Sequence, residues 1–383
     1  MEFYRISYGQ PGGDILAIFL KFLYNEAIGG VFDLNGKVIV GLSGGVDSSV
    51  TAYLLKKQGY DVTGVNVHMF DHTASETSAE DAGKVADYLG IPFVTRDLSD
   101  IFETEVIRYF TDAYRKGLTP NPCVVCNHTV KWLGLLESCR DMGAVRLATG
   151  HYARIRKQPD GRYAVERAVS AAKDQSYVLY RLTQEQLKST IMPLGDYEKE
   201  EIRYIAEKAG IPVADKPDSQ EICFIPDNDY AGFIERRTGK SYSQEGNFVT
   251  ADGRVLGKHK GIIHYTIGQR KGLNLAMGYP VFVTQIRPDT NEVVIGSNED
   301  VFTEKVLFQD AVFMGSTDFS AEGRLWGRIR YGHKGHWCRV NALGGGLYEA
   351  EFEEPVRAAT PGQSIVLYHG DAIAGGGYIT GHL

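Results

Sequence analysis

The stretch KVIVGLSGGVDSS at residues 37–49 decides the fold class of this chain. Residues 37–42 are a short apolar run of the kind that forms a buried strand, and residues 48–58 place Val50, Leu54 and Leu55 on one face of a helix. Gly59 follows as a typical residue at a helix end. A strand, a glycine- and serine-rich loop and a helix in this order predict one unit of an α/β fold.

The alternation of strands and helices continues on the C-terminal side of this unit. Strands are predicted at 61–67, 93–98 and 145–149, and helices at 79–89, 103–116, 129–139, 183–190 and 199–208. Because parallel strands need long crossover connections, usually helices, this alternation predicts a doubly wound parallel sheet. The predicted fold class is therefore α/β.

The pattern of apolar and polar residues changes after about residue 225. Short alternating runs at 281–286, 292–295, 327–331, 337–342, 347–352 and 364–368 are separated by Gly, Asp-Gly and Asn. Short strands at this spacing predict a small antiparallel barrel or sandwich. The predicted organisation is an N-terminal extension without a motif at 1–35, the parallel-sheet domain at 36–225, a small central domain at 226–300 and a C-terminal antiparallel β-barrel at 301–383.

The composition excludes several classes of protein. Of the 383 residues, 43% are hydrophobic and 23% are charged, which is an ordinary globular mixture and excludes wholesale disorder. No apolar run reaches about 18 residues, and the run at 15–23 lacks the basic flank of a secretory signal, so a cytoplasmic protein is expected. The net charge of −7 argues only mildly against a nucleic-acid partner, because the acidic excess lies mostly in residues 1–150.

The loop at 41–49 has the residues of an anion-binding cradle. Its glycines and serines stand where free N–H groups, the helix dipole and hydroxyl donors converge, and Asp47 adds a carboxylate within reach of Mg²⁺. The loop lacks the lysine of GxxxxGK[ST] and does not fit GxGxxG, and residues 239–241 fail the first pattern because Ile234 replaces its glycine. A plain turn is the alternative interpretation. The loop predicts a phosphate-binding, nucleotide domain.

Five cysteines stand at 123, 126, 139, 223 and 338, and this arrangement favours reactive or metal-binding thiols over a disulfide scaffold. Cys123 and Cys126 precede the predicted helix at 129–139, and a thiol near a helix N-terminus is expected to have a lowered pKa. The alternatives are a zinc-ligand pair, a redox pair and inert thiols. A structural zinc site requires four ligands, and the sequence contains no second CxxC or paired-histidine motif to supply the others. Cys139 and Cys338 stand in no motif and are predicted to be inert.

Six blocks carry a resemblance to a known family. They are GLSGGVDSS at 41–49, TPNPCVVCN at 119–127, GHYAR at 150–154, KDQSYVLYRL at 173–182, QEICFIP at 220–226 and HYTIGQRKGL at 264–273. The first block alone resembles the pyrophosphate-binding loop of the ATP pyrophosphatases. Together the blocks resemble the bacterial tRNA-specific 2-thiouridylases. The resemblance implies a sulfurtransferase that adenylates the C2 oxygen of the wobble uridine of tRNA with ATP and Mg²⁺ and then replaces it by sulfur from a cysteine persulfide.

The resemblance also implies roles for individual residues. The catalytic pair is Cys126, as nucleophile, and Cys223, as carrier of the persulfide. Nucleotide binding is implied for Gly41, Leu42, Ser43, Gly44, Gly45, Val46, Asp47, Ser48, Val67 and Gly150. Contact with tRNA is implied for Asn121, Pro122, Cys123, His151, Lys173, Asp174, Gln175, Arg330, Tyr331 and Gln363. The implied partners are the anticodon loop of tRNA and an upstream sulfur donor, such as a cysteine desulfurase or a sulfur relay protein, with no membrane partner.

One position departs from the family pattern. Better-known members have an aspartate, proposed as an acid/base group, where this chain has Cys123, which puts an aspartate-dependent proton transfer in doubt. Cys123, Cys126 and Cys223 could instead hold an iron–sulfur cluster, an alternative route to the same product. Two further alternatives are an ATP pyrophosphatase ligase of a small molecule, against which the paired cysteines speak, and an RNA-binding protein without catalysis.

Overall fold

A computed structural model describes residues 36–70, 73–217, 222–239 and 243–382. The predicted extension at 1–35, residues 218–221 and residues 240–242 therefore lie outside the described residues. In the described part of the chain, no helix combines the length and the apolar character needed to cross a bilayer.

The helical segments are Val46–Lys57 (α1), Thr73–Leu89 (α2), Ser99–Phe102 (α3), Arg108–Arg115 (α4), Pro122–Cys126 (α5), Trp132–Met142 (α6), Gln184–Lys188 (α7), Lys199–Lys208 (α8) and Tyr230–Thr238 (α9), with π-helical turns at Glu103–Ile107 and Asn127–Lys131. The strands are Lys37–Gly41 (β1), Asp61–His68 (β2), Phe93–Asp97 (β3), Arg146–Ala148 (β4), Ala153–Lys157 (β5), Tyr163–Arg167 (β6), Thr190–Ile191 (β7), Gly246–Val249 (β8), Val255–His259 (β9), Phe282–Arg287 (β10), Glu292–Gly296 (β11), Phe302–Phe313 (β12), Leu325–Arg328 (β13), His336–Gly344 (β14), Leu347–Arg357 (β15), Ser364–His369 (β16) and Ala372–His382 (β17).

The N-terminal part contains a parallel sheet with the strand order β3-β2-β1-β4-β7. All four neighbouring pairs are parallel, which confirms the predicted α/β class. Val38, Ile39 and Val40 of β1 are fully buried, as expected for a strand covered on both faces. The carboxyl ends of β1, β2 and β4 lie at one edge of this sheet, and such an edge is where α/β folds bind ligands.

The central part is a four-stranded sheet with the order β10-β11-β8-β9. Its buried Phe248 and Val283 belong to the same apolar cluster as Phe102 and Phe110 from the N-terminal helices. Cys126 belongs to this cluster as well, and so does Phe224, whose ring packs edge-on against those of Phe102 and Phe110 at centroid distances of 5.6 and 5.4 Å. The central sheet therefore covers the helices on which the thiols lie.

The C-terminal part is a closed antiparallel barrel, as predicted. Its strands follow the order β12-β15-β14-β13-β16-β17, and pairing of β12 with β17 closes the ring. The hairpin β5–β6 extends this sheet from the N-terminal part through the pairing of Glu166 with Ala372. One continuous sheet therefore joins the barrel to the segment of the N-terminal part that begins just after Gly150.

Candidate active site

The phosphate loop connects β1 to α1, and its glycines are needed for its shape. Gly44 has φ +70°, and a Cβ there would collide with the carbonyl of Ser78 in α2. Gly45 caps α1 without a side-chain hydrogen bond, so side chains of the cap do not occupy the N–H groups of the first turn. The hydroxyls of Ser43 and Ser48 lie 3.1 Å apart beside these groups. The loop therefore presents N–H and O–H donors at one point.

Two other predicted nucleotide residues lie beside this loop. A Cβ on Gly150 would be 2.8 Å from the N atom of Ser48, so the chain after β4 packs directly on the first turn of α1. Val67 is half-buried and follows Asn66, the last buried residue of β2, which lies next to β1 in the sheet. Asn66 donates from Nδ2 to the Leu42 carbonyl at 2.9 Å and fixes the start of the loop. The predicted nucleotide residues thus come together at the carboxyl edge of the sheet.

Asp47 was expected to be available to Mg²⁺, but its carboxylate already has partners in the chain. Lys199 Nζ lies 2.7 and 2.9 Å from its two oxygens, and the Tyr152 hydroxyl donates to Oδ1 at 2.8 Å. A second lysine, Lys216, donates to the Gly44 carbonyl at 3.1 Å and pairs with Asp81 at 2.9 Å. Sequence reasoning missed both lysines, although a lysine in the first turn of the predicted helix at 199–208 is unusual for that position.

Cys123 and Cys126 lie inside a helix and not ahead of it. Asn121 caps α5 by accepting a hydrogen bond from Cys123 N at 3.1 Å, and Pro122 occupies the first turn, where its missing N–H costs nothing. The helix then continues through the π-helical turn into α6. The predicted start at residue 129 was therefore late, because the helical segment begins at Pro122.

The expected lowering of the thiol pKa is wrong for Cys126. Its side chain is buried, with Sγ 3.7 Å from Met69 Sδ, and burial raises its pKa to about 12. Desolvation of the charged thiolate outweighs any effect of the helix dipole. Burial also raises the pKa of Cys139 to about 11 and that of Cys338 to about 12. Because Cys126 shares this shift, the inertness of Cys139 and Cys338 stays a prediction that rests on their lack of a motif.

Cys223 reaches the same region from a distant part of the sequence. Its neighbour Phe224 is buried in the aromatic cluster, whereas Cys223 itself is exposed to solvent. Protein atoms nevertheless surround the Cys223 sulfur itself, and this desolvation raises the pKa of the thiol, with a smaller contribution from Cys123. The Cys223 thiol also interacts electrostatically with Cys126. The three cysteines of the resemblance thus gather at the end of α5, with Cys123 and Cys223 on the open side.

Lys131 lies among the three cysteines and was not among the predicted site residues. It stands five positions after Cys126, at the end of the π-helical turn, where i and i+5 residues share a face. Burial alone would lower the pKa of Lys131, but interaction with Cys126, Cys123 and Cys223 raises it. The ammonium group therefore stays charged and favours a thiolate at each of its neighbours.

The donor set does not fit an iron–sulfur cluster. Across residues 36–70, 73–217, 222–239 and 243–382, no group of three His, Cys, Asp or Glu side chains is arranged to hold a metal ion. The three thiols interact, but Cys126 faces Met69 inside the protein while Cys123 and Cys223 are exposed. The cluster route considered for Cys123, Cys126 and Cys223 is therefore not favoured.

Asp174 and Gln175, predicted to contact tRNA, are held by internal hydrogen bonds. The buried carboxylate of Asp174 accepts from Ala168 N and Ser176 N at 3.2 Å each, and pairs with Arg328 Nη1 of the barrel at 2.9 Å. Gln175 exchanges two hydrogen bonds with the backbone of Tyr152, through its side-chain oxygen and its own N–H. This segment connects the barrel to the tyrosine that binds Asp47.

The remaining predicted tRNA residues fall into exposed and half-buried groups. Tyr331 is 42% exposed as a residue, and partial burial of its hydroxyl raises its pKa, with smaller contributions from Asp174 and from the nearby Cys123 thiol. Arg330 donates to the Arg357 carbonyl at 3.2 Å, and Gln363 donates to the Thr119 carbonyl at 2.8 Å. Gln363 therefore attaches the segment before Cys123 to the barrel.

His151 and Lys173 complete the set. The His151 ring packs against Trp132 at 5.6 Å, and burial together with Lys131 lowers its pKa to about 3, so it is neutral near pH 7. Its neighbour Gly150 touches the phosphate loop, so His151 connects the surroundings of Lys131 to the N-terminus of α1. Lys173 is half-buried beside Asp174.

Comparison with known proteins identifies the family. Three family models match in succession: a "tRNA methyl transferase HUP domain" at residues 36–227, a "tRNA methyl transferase PRC-barrel domain" at 231–297 and an "Aminomethyltransferase beta-barrel domain" at 303–379. The chain is 50% identical over 354 residues to the tRNA-specific 2-thiouridylase of Lachnoclostridium phytofermentans, covering 90% of this chain and 99% of that relative. It is 45% identical over 356 residues to the same enzyme of Clostridioides difficile, covering 90% and 98%.

Among solved structures, the U34-tRNA thiolase of Methanococcus maripaludis with its [4Fe-4S] cluster is 20% identical, with a TM-score of 0.38 over 59% of this chain and 74% of that one. That likeness is too distant to carry an argument about the site. The matches to these two relatives extend over 90% of this chain and nearly the full length of theirs, and the HUP-domain model spans residues 36–227, which contain the phosphate loop and the thiol segments. This chain therefore belongs to the tRNA-specific 2-thiouridylase family.

Proposed function

We propose that this protein thiolates the wobble uridine of tRNA at C2, by adenylating the C2 oxygen with ATP and then transferring sulfur from a persulfide on Cys223. The observation that carries this proposal is the convergence of Cys126 and Cys223 on Lys131, near the phosphate loop. His151 interacts with Lys131, and the adjacent Gly150 touches Ser48, so the sulfur chemistry and the anion cradle are neighbours. A ligase of small molecules has no need of this arrangement.

Adenylation solves a leaving-group problem. The uracil carbonyl oxygen leaves poorly, whereas AMP leaves readily once the oxygen carries the adenylyl group. The described residues fit a nucleotide polyphosphate, because the first turn of α1, the exposed Ser43 and the cations of Lys199 and Lys216 face the same place. Mg²⁺, when bound, would supply further neutralisation of the departing pyrophosphate.

Sulfur transfer then follows in two steps. The terminal sulfur of the Cys223 persulfide attacks C2 and displaces AMP, which leaves a C2–S–S–Cys223 adduct. The Cys126 thiolate attacks Cys223 Sγ and breaks the S–S bond, so that the sulfur stays on C2 and a Cys126–Cys223 disulfide forms. External thiols reduce that disulfide. The reverse order, with Cys126 releasing the sulfur first, gives the same products.

Exposure supports the first order of steps. Cys223 is exposed, so an upstream sulfur donor, such as a cysteine desulfurase or a sulfur relay protein, can load it. Cys126 is buried with its pKa raised to about 12, so it is a poor first nucleophile at neutral pH and suits a later, resolving step. Lys131 stabilises each thiolate as it forms.

The RNA-facing side of the site consists of Cys123, Tyr331 and Lys173, with Asn121 beside them. A partly exposed tyrosine next to a thiol can stack on an unpaired base, and bases of an anticodon loop are already unpaired. We further propose that residues 36–225, 226–300 and 301–383 are the catalytic, central and barrel domains, and the three successive family-model matches support this division.

The test is incubation of the protein with ATP, Mg²⁺, unmodified tRNA, a reducing thiol and a persulfide donor, namely a cysteine desulfurase with cysteine, followed by mass analysis of the nucleosides. We expect 2-thiouridine that depends on ATP, with one AMP and one pyrophosphate released per sulfur. The absence of 2-thiouridine with a folded, ATP-binding protein would contradict the proposal.

Thiol reactivity should separate the two catalytic cysteines. We expect iodoacetamide at pH 7.5 to alkylate Cys126 at least about a hundredfold more slowly than Cys223, because Cys126 is buried and its pKa of about 12 leaves little thiolate. The rate at Cys126 should rise about tenfold per pH unit, since its thiolate fraction does so below the pKa. Peptide mass analysis gives both rates, and equal rates would show that Cys126 is accessible.

The variant Cys123→Asp, which restores the commoner family residue, is expected to keep thiolation within about threefold of wild type. Cys123 is exposed in the first turn of α5, where a carboxylate interacts favourably with the helix dipole. Thiolation rates under oxygen-free conditions, with iron content measured in parallel, check this. Loss of activity together with loss of bound iron would instead support the cluster route.

A further inference from the structure

Lys199 occupies a position that local helix energetics disfavours. It is the first residue of α8, directly after the N-cap Glu198, and its side chain is only 7% exposed. A cation in the first turn of a helix opposes the helix dipole, and burial adds a desolvation cost. Its neighbours Glu200 and Glu201 have the sign that this position favours. Such a local conflict is typical of a functional requirement elsewhere.

The functional requirement comes from Asp47, whose charge Lys199 balances. Asp47 lies in the first turn of α1, and α1 packs against α8. Lys199 Nζ contacts both carboxylate oxygens, at 2.7 and 2.9 Å, and lies 5.5 Å from the centre of the Tyr152 ring. The Tyr152 hydroxyl donates to the same carboxylate, and Gln175 fixes the Tyr152 backbone. Asp47 is thereby held in one orientation at the mouth of the phosphate loop, with its side chain 32% exposed.

A bare carboxylate at this point would oppose nucleotide binding. It would stand at the positive end of α1, beside the N–H groups that the phosphates must use, and two like charges a few ångströms apart repel strongly in a partly buried site. We propose that Lys199 is a positioning residue of the nucleotide site, which neutralises Asp47 and so lets the loop accept the pyrophosphate group of ATP. This inference rests on the proposed function of the loop.

The direction in which Asp47→Asn changes the affinity for pyrophosphate tests this role. The probe is inorganic pyrophosphate in excess EDTA, measured by calorimetry on the full chain, so that no divalent cation contributes. We expect Lys199→Met to bind at least about tenfold more weakly than wild type, and Asp47→Asn to bind about tenfold more tightly, because it removes the repelling charge and leaves the lysine. The double variant should return to within about threefold of wild type.

A merely structural role for the ion pair predicts a different pattern. Both single variants would then weaken pyrophosphate binding in proportion to their loss of thermal stability, and weaker binding by a folded Asp47→Asn protein overturns the proposal. Lys199→Arg should recover part of the affinity. The matched control is Lys208→Met, an exposed lysine in the last turn of α8, which should change nothing.

Failure of this inference can be told apart from failure of the proposed function. A wild-type protein that thiolates tRNA while Asp47→Asn binds pyrophosphate more weakly disproves the role of Lys199 alone. A wild-type protein that binds neither pyrophosphate nor ATP and forms no 2-thiouridine disproves the nucleotide site itself, and the inference fails with it.

Discussion

The variants Cys126→Ser and Cys223→Ser are each expected to lose at least about a thousandfold of tRNA thiolation, because serine keeps the shape of the side chain and removes the sulfur nucleophile. Release of pyrophosphate from ATP should persist in both, since adenylation precedes the sulfur steps. In Cys223→Ser the AMP should stay on the tRNA, because no persulfide is present to displace it. In Cys126→Ser, the C2–S–S–Cys223 adduct should accumulate, because nothing breaks its S–S bond. Gel mobility and protein mass before and after dithiothreitol detect it.

The matched control is Cys139→Ser. Cys139 is also a buried helical cysteine, and its Sγ lies 3.4 Å from the Arg146 carbonyl, to which a serine hydroxyl can donate equally well. This variant should thiolate tRNA at the wild-type rate. Full activity of Cys223→Ser would remove the persulfide assignment, and a Cys126→Ser protein with persulfide on Cys223 but no adduct to tRNA would favour the reverse order of steps.

Parts of the fold could be predicted because they depend on local pattern. The run 37–42 is apolar throughout, and a strand buried on both faces needs that composition. β17 was missed because its sequence AIAGGGYITGH contains three successive glycines, which normally weaken a strand. In the barrel those glycines are required, since a Cβ on Gly375, Gly376 or Gly377 would collide with a backbone carbonyl of a neighbouring strand.

β12 was missed for a different reason. Its charged and polar residues, among them Glu304, Lys305 and Asp310, obscure the alternation of apolar side chains. Asp310 also adopts φ +52° at an irregularity in the pairing with β17, which shifts the register along the strand. Such an interruption is visible only once the partner strand is known.

In the site, too, features that depend on consecutive residues could be predicted, whereas features that depend on tertiary contacts could not. The anion cradle could be predicted because its donors are consecutive in the chain. The lowered pKa of Cys126 was predicted from its place near a helix end, and burial by Met69 and the aromatic cluster reversed it. Lys199 was missed because its partner, the Asp47 carboxylate, is far away in sequence. Lys131 was missed because its nearness to Cys126 and Cys123 depends on a helix that was predicted to begin only at residue 129.

Removing the Arg328 guanidinium is expected to cost about 3–5 kcal/mol of folding stability, which is the usual penalty for leaving a buried charge unpaired. In Arg328→Met, the carboxylate of Asp174 loses its 2.9 Å partner while its side chain stays only 6% exposed. Chemical denaturation measures this loss of stability, and two independent spectroscopic probes check that unfolding is a single cooperative transition. The double variant Asp174→Asn/Arg328→Met should recover a large part of it, because no buried charge then remains.

The control for this effect is Arg324→Met in the same barrel. Arg324 pairs with Glu353 at 2.6 Å, but both side chains are nearly half exposed, so its removal should cost no more than about 1 kcal/mol. Equal stability of the two single variants would show that the Asp174–Arg328 pair is not the connection between barrel and catalytic segment that its burial indicates.

The same substitution should weaken tRNA binding even where the protein is fully folded. Arg328 donates to the carbonyls of Tyr331 and His333, at 3.0 Å for the latter, and so shapes the turn that brings Tyr331 towards Cys123. We expect a loss of about tenfold in affinity for unmodified tRNA, measured by filter binding well below the unfolding midpoint, while Arg324→Met binds normally. An unchanged affinity would mean that tRNA does not use this turn.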